Sequence, residues 1–235
     1  MKFGVVVFPG SNCDQDLVKA IERVTQQEVV KLWHKETNLQ EVDFVFLPGG
    51  FSYGDYLRSG AIAKLSPIMQ SVISFAKKGN PVMGICNGFQ ILCESGLLPG
   101  ALLQNENQKF ICENSLLKVE NNDTLLTKNL RKDRSYKIPI AHGEGRFFAE
   151  QDTLQRMEEN QQILFTYVDE NMKVCQEANP NGSLNNIAGI CNKEKNVFGM
   201  MPHPERAADL ALKNQDGEDF FLSILRHFEA VWCHC

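Results

Sequence analysis

A chain of 235 residues with 43% hydrophobic content can bury one sizeable core, so a single domain spanning residues 1–235 is expected. The net charge of −5, with no Lys/Arg cluster, argues against a nucleic-acid surface, because phosphate contacts need concentrated positive charge. No apolar run approaches the roughly eighteen residues of a bilayer span, and Val5-Val6-Val7-Phe8 is cut off by Pro9-Gly10, so neither a membrane helix nor a signal peptide is expected.

In chain order, the pattern predicts strands over Lys2–Phe8, Glu28–Trp33, Phe44–Leu47 and Val82–Ile85. Helical patterns separate most of them. Leu17, Ala20, Ile21 and Val24 share helical spacing within 14–24, and Ser66-Pro67 supplies an N-cap and first-turn proline for a helix ending near Gly79. Strands alternating with helices imply an α/β fold with a doubly wound, mostly parallel sheet. Such sheets gather ligands at the carboxyl ends of their strands, where Pro9-Gly10, Pro48-Gly49-Gly50 and Cys86 fall. Further on, Leu116–Val119, Lys137–Ala141 and Ile163–Tyr167 read as strands, with turns at Asn121-Asn122-Asp123 and Asn179-Pro180-Asn181-Gly182, and predict β-structure appended to the main sheet. The stretch from Asp216 to Val231, carrying Phe220, Phe221, Ile224, Leu225 and Phe228, predicts an amphipathic helix that packs back on the core, with His227 as a helix-face residue. No internal repeat or low-complexity linker divides the chain.

The chemistry concentrates at two motifs. Gly84-Ile85-Cys86-Asn87-Gly88 follows the apolar run Pro81-Val82-Met83 and opens the amphipathic stretch Phe89–Ser95. Glycines two residues either side of a thiol allow a sharp strand-to-helix turn that holds the side chain exposed and strained, as in the G-x-S-x-G elbow. The helix dipole beginning there favours thiolate over thiol. The competing reading is a buried cysteine filling a corner. The second motif is Pro202-His203-Pro204-Glu205-Arg206, after the strand-like run Asn196–Met200. In extended chain, His203 and Glu205 project to the same side, and Pro202 and Pro204 favour extension. A carboxylate beside an imidazole fixes its tautomer and stabilises the imidazolium. The alternative for this pair is an idle solvated loop, and its meeting with Cys86 is a statement about the fold.

Eight cysteines in a long chain without an export signal or framework spacing read as reduced thiols, in a cytoplasmic protein. Cys233-His234-Cys235 offers at best a partial metal site, so no metal is expected.

With these motifs, the chain resembles the class I, triad-type glutamine amidotransferases. The segments that carry the resemblance are Val7–Asp14, Leu47–Arg58, the Cys86 elbow, Ala141–Arg146 and Pro202–Arg206. The stretches Gly49–Arg58 and His142–Arg146 are the narrower signals. They resemble the glutaminase subunits that feed ammonia to a purine-pathway synthetase converting formylglycinamide ribonucleotide to formylglycinamidine ribonucleotide with ATP. The resemblance implies a flavodoxin-like fold, a Cys86–His203–Glu205 triad and glutamine as substrate. It further implies an oxyanion hole at the backbone N–H groups of Gly50 and Asn87, and Gln90, His142 and Glu144 at the substrate. Two partners are implied as well: a small accessory subunit, beside a large synthetase subunit. No Gly-x-x-x-x-Gly-Lys-Ser/Thr sequence occurs, so ATP and Mg²⁺ are expected on the synthetase partner, with no cofactor on this chain. Three other readings stay open: a stand-alone cysteine hydrolase of similar fold, such as a γ-glutamyl hydrolase or a DJ-1-like peptidase; an amidotransferase subunit of another pathway; and a non-catalytic binding module whose glycine loops cradle phosphate.

Overall fold

The structure, a computed structural model, describes residues 1–232. Its elements run β1 (Lys2–Val7), α1 (Asp14–Thr25), β2 (Glu28–Trp33), β3 (Phe44–Leu47), α2 (Pro67–Lys77), β4 (Val82–Ile85) and α3 (Asn87–Glu94). Then follow β5 (Ala101–Leu103), β6 (Ile111–Val119), β7 (Tyr136–His142), β8 (Arg146–Phe148) and α4 (Gln151–Glu159). The chain closes with β9 (Ile163–Val168), β10 (Ile187–Cys191), β11 (Val197–Met200) and α5 (Glu218–Trp232).

Nine strands form one sheet in the order β2-β1-β3-β4-β11-β10-β9-β6-β7, and β5 pairs with β8 apart from it. From β2 to β11 the neighbours are parallel, and from β11 to β7 antiparallel. The fold is therefore α/β with a parallel half. The β-structure expected in the middle of the chain is appended to the main sheet, with β9, β6 and β7 extending it beyond β10. Composition explains the division. β3, β4 and β11 are buried at every residue, as parallel strands covered on both faces must be. The edge strand β2 has only Leu32 fully buried and carries charged Glu28 and Lys31, which discourage pairing with another chain.

The crossover β1–α1–β2 runs outward and β3–α2–β4 runs the other way. Right-handed connections then place α1 and α2 on opposite faces. Helix α5 joins α1 and inserts Phe220 and Phe221, both almost wholly buried. The Phe221 ring meets Phe46 at 6.2 Å in the parallel half, and Phe220 meets Phe165 at 5.3 Å in the antiparallel half. Each such side chain contributes about 1.5–3 kcal/mol of burial, so α5 holds the two halves of the sheet together. Among the described residues no helix is long and apolar enough to cross a membrane. The Cys233-His234-Cys235 hook lies outside the described residues.

Candidate active site

Four loops meet at the carboxyl ends of parallel strands: 8–13 after β1, 48–55 after β3, Cys86 after β4, and 201–206 after β11. Backbone hydrogen bonds tie the first two together. The Gly10 carbonyl accepts from Phe51 N–H at 2.8 Å, and the Pro9 carbonyl accepts from Tyr53 N–H at 2.6 Å.

Cys86 occupies the junction between β4 and α3 with φ 50° and ψ −106°, a conformation that L-residues other than glycine rarely hold. Its N–H donates to the Met200 carbonyl of β11 at 2.8 Å, which fixes the elbow to the neighbouring strand. The sulfur lies 3.7 Å from the Ala141 carbonyl of β7. The strained elbow expected from the sequence is thus present, at the N-terminus of an eight-residue helix, but its thiol is buried rather than exposed, at 4% of its surface.

His203 follows the end of β11, and β11 pairs with β4 in the register Met200 to Ile85. Adjacent strands therefore deliver thiol and imidazole to one place. The extension expected around His203 gives way immediately: Pro204 opens a 3₁₀ turn over Pro204–Ala207, with proline at the helical position that suits its fixed φ. Glu205 reaches the ring from within that turn, with Oε1 at 2.6 Å from Nδ1. Both side chains are 1% exposed. Burial alone would strip the imidazole of its proton, but the charges of Glu205 and Cys86 outweigh it and hold His203 above the ordinary imidazole range. With Nδ1 taken by Glu205, the interaction with Cys86 falls to Nε2, which makes no regular hydrogen bond in this state.

A second thiol stands nearby. The sulfur of Cys13 and ligand atoms of His203 and Glu205 lie within 4.8 Å of one another, and Arg206 Nη2 donates to that sulfur at 3.0 Å. Burial and then the Glu205 charge push the Cys13 thiol up to about 12. It therefore stays protonated near neutrality.

Of the two residues expected to supply oxyanion donors, Asn87 follows Cys86 directly and Gly50 lines a pocket that Cys86 also lines. Asn87 opens α3, so its backbone N–H has no intrahelical partner. Gly50 lines the same pocket at φ +128°, where an added Cβ would lie 2.6 Å from both the backbone nitrogen and Oδ1 of Asn12. The Asn87 side chain works as a clasp: Oδ1 accepts from Ser52 Oγ at 2.5 Å, and Nδ2 donates to Gln90 Oε1 at 2.9 Å.

Gln90, His142 and Glu144 all line the pocket beside Cys86, but they differ in what they leave free. The Gln90 amide is spent on Asn87 and on the Glu144 carbonyl, 2.5 Å away. His142 has both ring nitrogens engaged. Asn105 Oδ1 lies 3.0 Å from Nδ1 and also accepts from Gly145 N–H, so Nδ1 carries the proton and Nε2 receives the Asn181 amide at 3.4 Å. Of these three, Glu144 alone brings a carboxylate to the pocket, which Asp55 also lines. Sequence reasoning misses Asn105 and Asn181, which set His142; the sole signal is the turn at 179–182.

Burial, followed by the His203 charge, lowers the His142 pKa to about 4. The unfolded chain then takes up the proton first, so this contribution to stability is full above pH 6.5 and is lost as pH falls from 6.5 to about 4. Urea unfolding at pH 7.5 and pH 5 is expected to show about 2 kcal/mol of this loss in the native chain, and a His142→Gln variant to lack it. Equal pH slopes in both proteins would contradict the assignment.

The comparisons with known proteins follow the same lines. A family model described as a CobB/CobQ-like glutamine amidotransferase domain matches residues 1–229. The chain is 53% identical over 230 residues to phosphoribosylformylglycinamidine synthase subunit PurQ of Salinibacter ruber, covering 98% of each. It is 55% identical over 221 residues to the protein of the same name from Synechocystis sp., covering 94% of this chain and 99% of that one. Among solved structures it resembles a chain of PurLQS from Thermotoga maritima, with a TM-score of 0.85 and 44% identity over 97% of this chain and 98% of that one. A glutamine amidotransferase from Thermotoga maritima shares the fold at a TM-score of 0.58 and 15% identity, over 98% of this chain and 92% of that one.

Proposed function

Because the chain belongs to the CobB/CobQ-like glutamine amidotransferase family, we propose that Cys86, His203 and Glu205 form its glutaminase triad, with glutamine as substrate. The protein serves as the glutamine amidotransferase subunit of phosphoribosylformylglycinamidine synthase, in purine biosynthesis, and works together with a synthetase subunit. The observation that carries the triad is the meeting of the Cys86 elbow with the buried His203–Glu205 pair at the ends of two adjacent parallel strands.

The chemistry follows from that geometry. The Cys86 thiolate attacks the side-chain amide carbon of glutamine, and the carbonyl oxygen takes up negative charge against the N–H groups of Asn87 and Gly50. His203 passes its Nε2 proton to the departing nitrogen as the tetrahedral adduct collapses, giving ammonia and a γ-glutamyl thioester. The neutral imidazole then takes a proton from water, which attacks the thioester and releases glutamate. Glu205 holds the Nδ1 tautomer and balances the imidazolium charge throughout. Ammonia passes to the synthetase subunit, where ATP and Mg²⁺ bind, for conversion of formylglycinamide ribonucleotide to formylglycinamidine ribonucleotide. A small accessory subunit completes the assembly, which works in the cytoplasm.

Covalent labelling tests the reading directly. A glutamine-analogue electrophile is expected to modify Cys86 stoichiometrically in the assembled synthase, with protection by glutamine, as mapped by mass spectrometry. Unprotected labelling spread over exposed Cys112 and other thiols would refute it.

A further inference from the structure

The loop that carries Gly50 holds a conformation its residues do not favour. Tyr53, Gly54 and Asp55 lie consecutively at φ 55°, 69° and 53°, a left-handed run that costs free energy at the two non-glycine positions. Backbone bonds hold part of it: Tyr53 N–H donates to the Pro9 carbonyl at 2.6 Å, and Gly54 N–H to the Phe51 carbonyl at 2.8 Å. The Tyr53 side chain supplies a longer anchor. Its hydroxyl lies 2.5 Å from Nδ1 of His34 and 2.9 Å from Oγ of Ser66. The ring meets His34 edge-on at 5.5 Å and Phe8 at 6.5 Å.

His34 is itself firmly held. It follows β2, the edge strand of the sheet, and is buried. Its N–H donates to the Val7 carbonyl of β1 at 3.1 Å, and its carbonyl accepts from Ile68 N–H of α2 at 3.2 Å. The Trp33 ring packs edge-on against the imidazole at 4.5 Å. Burial, with Lys35 beside it, lowers the His34 pKa, so the ring is neutral near neutrality. With its proton on Nε2, the ring accepts from the Tyr53 hydroxyl, which accepts in turn from Ser66, so one hydroxyl serves both partners. Neither His34 nor Tyr53 lines the pocket beside Cys86.

We infer that His34 is a positioning residue for the oxyanion hole: through the Tyr53 hydroxyl it ties the strained 48–55 loop to β1 and α2, and so fixes the Gly50 N–H where charge develops on the substrate oxygen. The inference rests on the glutaminase reading and adds a residue outside the pocket on which the rate depends. An oxyanion donor works because it is aimed before the reaction begins, and removing one costs about 10²–10³-fold. Loosening the loop misplaces the donor without removing it, and so costs less. The effect belongs to the transition state, so it falls on kcat and spares KM.

The test measures glutamine hydrolysis by the assembled synthase for the native chain, for His34→Leu, His34→Asn and Tyr53→Phe, and for the His34→Leu/Tyr53→Phe double variant. His34→Leu and Tyr53→Phe are each expected to lower kcat about tenfold with KM within about threefold. His34→Asn, whose amide places an acceptor near the position of Nδ1, is expected to keep kcat within about threefold of native. The double variant is expected to lose no more than either single one, since both break the same bond. Tyr53→Phe keeps the aromatic ring, so the test stands even if His34→Leu fails to fold. Unchanged kcat in Tyr53→Phe, a loss carried by KM, losses that multiply in the double variant, or a His34→Asn variant no better than His34→Leu would each overturn the inference. Ammonia-dependent amidation, read in parallel, is expected to stay at the native rate; an equal loss there would assign the damage to assembly and overturn the inference as well. A native chain that hydrolyses no glutamine would refute the glutaminase reading itself, a result distinct from failure of the His34 brace.

Discussion

Replacing Cys86 by alanine is expected to depress glutamine-dependent amidation at least about 10⁴-fold while leaving ammonia-dependent amidation by the assembled synthase intact. Only the sulfur is removed. The His203–Glu205 pair, the Asn87 and Gly50 donors and the pocket walls all remain, so substrate still binds but no thioester forms. The two rates are read side by side, with glutamine and with an ammonium salt at alkaline pH, where free ammonia is available. The variant is expected to keep its fold, because the elbow is held by the bond from the residue 86 N–H to Met200 and by α3 packing, neither of which needs the sulfur. Glutamine-dependent turnover within tenfold of the native rate would place the nucleophile elsewhere, with Cys13 the next thiol on the same imidazole.

A Gly88→Ala substitution is expected to be as damaging to the fold as Cys86→Ala is to the chemistry. A Cβ at position 88 would fall on the Leu47 carbonyl group of β3, far inside van der Waals contact, and Leu47 is wholly buried in the middle of the sheet. Backbone atoms cannot swing aside as a side chain can. Helix α3 would have to lift from β3 and β4, uncovering Phe89, Ile91 and Leu92, which are at most 1% exposed. Gly84 meets the same helix from below, since a Cβ there would strike the Gly88 carbonyl and Phe89 nitrogen. Overpacking ordinarily costs about 1–3 kcal/mol, and a clash with central backbone is expected to exceed that range. Denaturant unfolding and soluble yield measure it; a loss under about 1 kcal/mol would show that α3 can shift freely.

Much of this architecture is legible in the sequence because its signals are local. β2, β3 and β4 fall where their apolar runs end, and α1 and α2 lie within two residues of their predicted limits, because apolar spacing marks the first and Pro67 at the first helical position marks the second, although the Ser66 side chain makes no capping bond. α4 is not legible: Met157 is its one buried residue, so it carries no broad apolar stripe for periodicity to detect. β10, Ile-Ala-Gly-Ile-Cys, is buried throughout and shows no alternation, which leaves a strand and a buried helix segment indistinguishable. In the site, Cys86, His203 and Glu205 announce themselves by glycine and proline punctuation. Asp55 bears no such mark, because its place in the pocket beside Glu144, 89 positions away on a different loop, is set by the fold. The bend at Pro204 escapes sequence reading for a related reason: proline suits an extended chain and the first turn of a helix equally, and packing decides between them.

The position of β11 carries a consequence for how the molecule is assembled. It is the last strand in the chain, yet it lies at the seam of the sheet, between β4 and β10. A growing polypeptide therefore presents the partially built parallel half and the antiparallel half with their inner edges unpaired until residues 197–200 emerge and slot between them. Long-range insertion of this kind is slow, and exposed strand edges invite aggregation, so this seam is the step most in need of chaperone protection. By the same order, Cys86 is made more than a hundred residues before His203, and the two come together only when β11 closes the sheet.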